Sequence, residues 1–121
     1  EVNKVLEKYG LDGIEYKDGI PDFSRCAVVS LEIDNMTSNL PTNYRQFCKK
    51  CAEKWTEEGK DSVSRDVADY KTENNLDFHE CSDMKTCQLV PSEIHECFTH
   101  AGGRMECRKR EESSIGGKND E

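Results

Sequence analysis

Three histidines, His79, His95 and His100, are the only ones in the 121 residues, and they fall close together in the C-terminal half. With Glu80 they could converge on one divalent cation, because imidazole nitrogen and carboxylate oxygen suit zinc, magnesium and other first-row ions. His95 and His100 are five positions apart, which puts them roughly 140° apart around an ideal helix, so they cannot share a helical face. A common metal therefore requires the helix to end between them, with His100 in an irregular turn before Gly102-Gly103. Taken singly, each is more often a buried, hydrogen-bonded histidine than a ligand, so the clustering carries the argument.

The elements that must position these side chains can be read from pattern. Leu76 to Glu80 predicts a strand, Ser82-Asp83 a turn shaped by Asp83, and Thr86 to Val90 a second strand. Pro91-Ser92 starts a helix, with Ser92 as its cap, Ile94, Cys97 and Phe98 as its apolar stripe, and Ala101-Gly102-Gly103 as its stop. Gln88 either orients a site residue or sits on an exposed strand face. Upstream, Val2, Val5, Leu6 and Tyr9 recur at helical spacing before Gly10, a turn-rich stretch runs from Gly10 to Asp22, and Ala27 to Ile33 has the partial alternation of a half-buried strand. Tyr44, Phe47, Cys48, Cys51 and Trp55 mark a helix capped at Thr42 or Asn43 and stopped by Gly59. A further helix is expected from Asp61 to about Thr72, carrying Val63, Val67 and Tyr70 inward.

With 17 Lys+Arg, 25 Asp+Glu, 34% hydrophobic residues and a net charge of −8, the chain is long enough for one small domain with a modest core. No apolar run is long enough to span a membrane, and no charged-then-apolar stretch within these residues suggests a secretory leader. A start at Glu1 is consistent with a piece of a longer protein. The seven cysteines cannot all pair within one chain, which weakens a disulfide-scaffold reading. Cys48 and Cys51 form a CxxC, but they lie on the apolar stripe of their helix, so small core hydrophobes is the better reading than zinc ligands. The negative charge repels phosphates at long range. Two basic segments offset it, one carrying Lys49, Lys50 and Lys54 and the other Arg104, Arg108, Lys109 and Arg110, and together they could track a nucleic-acid backbone.

The run Asp77-Phe78-His79-Glu80, then Gln88-Leu89-Val90-Pro91, Ile94-His95 and His100-Ala101-Gly102-Gly103, resembles the C-terminal motif of the HNH/endonuclease VII superfamily. The likeness is to its bacterial toxin nucleases with a Trp-His-His signature. Tyr16-Lys17-Asp18-Gly19, Pro21-Asp22-Phe23-Ser24 and Asn43-Tyr44 look like the N-terminal part of these domains, so the resemblance covers about residues 12 to 103, the span of one domain. Phe78 stands where the family has Trp, Ala101 where it has Thr, and Glu80 where it often has a second histidine.

The resemblance implies an α+β fold, a helical N-terminal layer packed on a C-terminal ββα-metal (HNH, His-Me finger) unit. It implies a single nuclease domain over residues 1–112: supporting helices and a strand over 1–75, the ββα-metal motif over 76–103 and a basic segment over 104–112. Residues 113–121 are expected to form a disordered tail. The implied function is a metal-dependent endonuclease cutting nucleic-acid phosphodiesters, DNA before RNA, as the C-terminal effector of a bacterial toxin. Such a toxin would be secreted or delivered from its producer, act in the target-cell cytoplasm without inserting in a membrane, and be restrained by a cognate immunity protein. One divalent ion, Zn, Mg, Mn or Ni, is the implied cofactor. His79 and Glu80 become the catalytic pair, with His79 favoured as general base because its ordinary pKa suits proton abstraction near neutral pH. His95 and His100, with Glu80, become the metal ligands; the opposite assignment of His79 and Glu80 stays open. The competing reading is a zinc-stabilised, non-catalytic protein-binding module, and a hydrolase using Cys81, Cys87 or Cys97 comes third.

Overall fold

A computed structural model describes residues 2–98. His100, the Gly102-Gly103 stop, Cys107, the basic segment at Arg104, Arg108, Lys109 and Arg110, and the 113–121 tail lie outside the described residues. The chain is of mixed α and β type. Helix α1 spans Val2–Lys8, strands β1 and β2 span Glu15–Lys17 and Ile20–Asp22, and β3 spans Val29–Glu32. Helices α2 (Leu40–Glu57) and α3 (Ser64–Glu73) follow, then β4 (Leu76–Glu80), β5 (Thr86–Pro91) and the short α4 (Ser92–His95). No described helix is long and apolar enough to cross a membrane.

The expected strand, turn, strand, helix unit is present as β4, β5 and α4, but it does not stand alone. β3 pairs antiparallel with β5, giving a three-stranded sheet of order β3-β5-β4 in which β5 is central and β3 and β4 are the edges. The supporting layer also departs from the expectation, because the turn-rich stretch contains a β1–β2 hairpin. Its loop is Asp18-Gly19, with φ of 55° and 78°. Positive φ at both loop residues is what a two-residue hairpin turn requires, and Asp-Gly supplies it cheaply.

Helix α2 begins earlier than capping at Thr42 or Asn43 would give. The Asn39 side chain accepts from the Thr42 N–H at 2.8 Å, and Pro41 fits the first turn, where no backbone donor is needed. Asn43 is thereby placed inside the helix and buried. Helix α3 starts at Ser64 rather than Asp61, with Asp66 accepting from the Val63 N–H. Helix α4 is four residues long, shorter than a stop at Ala101-Gly102-Gly103 would give, and Ser92 is its first residue rather than its cap. Beyond it the Cys97 and Phe98 amides bond three residues back, to Ile94 and His95, the tightened geometry that closes a helix. The helix thus ends at His95, with Glu96 as its C-cap.

The sheet separates two apolar clusters. Ile33, Phe47, Cys48, Cys51, Ala52, Val67, Leu76, Cys87 and Leu89 fill the space under α2 and α3. Leu6, Leu11, Phe23, Val90 and Ile94 fill the opposite side, under α1 and α4. Lys8 holds α1 to α4 through the Glu93 carboxylate at 2.8 Å.

Candidate metal centre

Side chains alternate across a strand, and on β4 that alternation sorts the site. Asp77 and His79 face the cluster under α1 and α4, whereas Leu76, Phe78 and Glu80 face α2 and α3. His79 is fully buried. Its Nε2 lies 3.2 Å from the Pro21 carbonyl on β2, and its ring meets Phe23 edge-on at 4.9 Å. His95, at the end of α4, has Nδ1 2.8 Å from Asp77 Oδ2, and the Ser92 hydroxyl donates to Asp77 Oδ1 at 2.6 Å. Carbonyl and carboxylate oxygens only accept, so His79 Nε2 and His95 Nδ1 are assigned as the nitrogens that donate. The His79 and His95 ring centroids are 5.4 Å apart, with Phe23 5.3 Å from His95.

This arrangement suits a divalent cation. Metal-bound histidines characteristically donate their second ring N–H to a carboxylate or backbone carbonyl, which fixes ring orientation. Two imidazoles sharing a metal at near-tetrahedral angles have centroids about 5 Å apart for metal–nitrogen bonds of about 2.1 Å. A metal bond here would have to use His79 Nδ1 and His95 Nε2. Among the described residues no group of three His, Cys, Asp or Glu side chains is arranged to hold an ion; the third nitrogen donor expected, His100, lies outside them.

The structure does not bring Glu80 to this pair. It is buried on the other sheet face, where Asn43 Nδ2 donates to its Oε2 at 2.7 Å. Asn43 also donates to the Thr37 carbonyl and accepts from the Thr37 amide, so Glu80 ties β4 to the start of α2. One step along a strand reverses the face, which is why adjacent residues in sequence part company here. Lys49, Lys50 and Lys54 are carried on α2, across the sheet from the histidines, and Lys50 is paired with Asp34 at 3.1 Å. Gln88 is not on an exposed face. It is 1% exposed, opposite His79 in register, and donates to the Ser24 and Ser30 hydroxyls.

Two residues quoted in the motif were given no role in the site by the sequence reading. Asp77 orients His95, and Phe23 forms a wall common to both imidazoles; only the i, i+2 spacing of Asp77 and His79 on one strand hinted at the first. Asp83 shapes the β4–β5 turn as expected, accepting from the Lys85 and Thr86 amides. Cys48 and Cys51 are buried in the core. Burial pushes the Cys81 thiol up to about 12 and the Cys87 thiol higher still, which makes them poor nucleophiles.

A family model described as the DNase/tRNase domain of colicin-like bacteriocin matches residues 13–102, well over half of the chain. No curated protein matches it.

Proposed function

The chain belongs to the family of DNase/tRNase domains of colicin-like bacteriocins and is a nuclease effector domain; from that premise we propose that it is an HNH-type, metal-dependent endonuclease. Its cation would be held by His79, His95 and His100. The observation that carries this reading is the pair of facing imidazoles, each tied through one nitrogen to an acceptor, at 5.4 Å. DNA is the favoured substrate, a cognate immunity protein the expected partner, and delivery from a producing bacterium into a target cell the expected setting.

When bound, a divalent ion would stabilise charge on the phosphoryl transition state and the leaving oxygen. The chain's own part is preorganisation. Asp77 and Ser92 hold the His95 ring, the Pro21 carbonyl holds His79, and Phe23 packs against both, so neither imidazole needs to reorient on binding. The Pro21 bond fixes one tautomer of His79, which a ligand and a general base both require; its ring's 5.4 Å approach to His95 is what supports the ligand role. Glu80, fixed by Asn43 behind the sheet, is assigned to positioning β4.

The test incubates the full chain with supercoiled plasmid and with total RNA, each with Mg²⁺, Mn²⁺, Ni²⁺, Zn²⁺ or EDTA, beside His79→Ala. Metal-dependent cleavage lost in the variant is the expected result. Survival of both substrates with every metal overturns the reading and leaves the zinc-stabilised module. Calorimetric Ni²⁺ titration separates the roles of His79: a ligand variant loses affinity, whereas a base variant retains it.

A further inference from the structure

Beside the metal centre the β4 edge opens into a groove that shares only Asp77 and His95 with it. It is a cavity of about 430 Å³ lined by Leu40, Pro41, Tyr44, Lys71, Asp77, Phe78 and His95, large enough for a small planar ligand. Its floor is aromatic: Tyr44 packs against Phe78 with centroids 5.1 Å apart. The Lys71 ammonium stands over the Tyr44 ring at 5.7 Å and forms no ion pair among the described residues. Asp77 is the carboxylate in the lining, and His95 and Ser92 occupy its two oxygens.

An aromatic floor with a cation at its rim is how proteins take single-stranded nucleic acid, stacking a base and meeting a phosphate. A base within a duplex has both faces covered by its neighbours and cannot enter. We propose that this groove receives an unstacked nucleotide next to the scissile bond, its base against Tyr44 and Phe78 and its phosphate toward Lys71. The preferred substrate is then single-stranded or locally melted nucleic acid. Two features of the molecule commit the groove to this occupant. It runs into His95 of the proposed metal centre, and it offers a local positive charge in a chain of net charge −8. The proposal rests on the nuclease reading above.

The experiment measures fluorescence anisotropy of short phosphorothioate oligonucleotides, single-stranded and duplex, with the full chain in magnesium buffer. Wild type is compared with Tyr44→Leu, Lys71→Glu and Lys60→Glu, and circular dichroism follows the fold of each. Single strands should bind more tightly than duplex. Tyr44→Leu should weaken that binding roughly 5- to 100-fold, the range for loss of one stacked base. Lys71→Glu should flatten the salt slope by about 0.7, one phosphate contact on a single strand, and raise KM more than it lowers kcat. Lys60, just past the far end of α2, should be neutral. Equal affinity for duplex, or equal losses from Lys60→Glu and Lys71→Glu, overturns the proposal. The nuclease reading fails separately, when plasmid and RNA both survive; the groove alone fails when cleavage proceeds but the Tyr44 and Lys71 variants bind like wild type. Lys71 is in the last turn of α3 and outside the apolar core, so its variant remains informative if Tyr44→Leu does not fold.

Discussion

The carboxylate of Asp77 does more for His95 than any neighbour in sequence could. It accepts from Nδ1 at 2.8 Å and is itself held by Ser92, so the ring has one orientation and one nitrogen for a cation. A carboxylate that orients a metal-binding imidazole in this way sets metal affinity by about 10- to 100-fold. Asp77→Ala should sit at the upper end of that range by calorimetric titration. Asp77→Asn, whose amide oxygen can still accept from Nδ1, should sit near the lower end, with the far-ultraviolet spectrum of both unchanged. Affinity like that of wild type in both would remove Asp77 from the site. The histidines were legible because three such residues within one short unit is an unusual pattern. Asp77 was not, because its partners lie fifteen and eighteen residues away and only the fold joins them. The thiols make a residue-scale prediction of their own. Burial pushes Cys51 up to about 11 and Cys81 to about 12, so both should resist an aromatic disulfide reagent at neutral pH and react once urea unfolds the chain.

Among the elements, the β1–β2 hairpin matters most to the site, since it delivers the Pro21 carbonyl to His79 and leads into Phe23. Gly19 sits at φ 78°, with open space where a Cβ would go, so Gly19→Ala meets no clash and its cost is conformational, about 1 kcal/mol. The expected outcome is a lower urea midpoint together with weaker metal binding, because the hairpin would hold His79 less firmly. Destabilisation with unchanged affinity would show that the Pro21 contact is incidental. This hairpin was the element least visible in sequence. Strands of three residues are too short to show alternation, and the Asp18-Gly19 dipeptide was the signal to use. By contrast α2 was legible over its length, because Tyr44, Phe47, Cys48, Cys51 and Trp55 repeat at helical spacing. Helix α4 was overextended for the same reason: Ile94, Cys97 and Phe98 keep the period, but Phe98 turns onto Phe23 at 6.2 Å after the helix has closed.

For the whole molecule, the decisive feature is that one sheet carries two cores with different duties. The cluster under α2 and α3 contains Phe47 and the Glu80–Asn43 tie; the cluster under α1 and α4 contains Phe23 and backs the imidazoles. Both phenylalanines are fully buried, so replacing either by leucine should cost a similar amount, about 1 to 2 kcal/mol for the lost volume and ring contacts. Their consequences for function should differ. Phe47 touches Phe78 at 5.4 Å and reaches the histidines only through the sheet, whereas Phe23 contacts both rings directly. Phe47→Leu should therefore lower the urea midpoint and leave Ni²⁺ affinity intact at low temperature, where both variants are folded. Phe23→Leu should lower the midpoint comparably and also weaken metal binding, since the wall that fixes the two rings is gone. Equal affinities at equal stability would mean that the sheet and the hydrogen bonds alone orient the histidines, and that the packing of this second core serves the fold rather than the site.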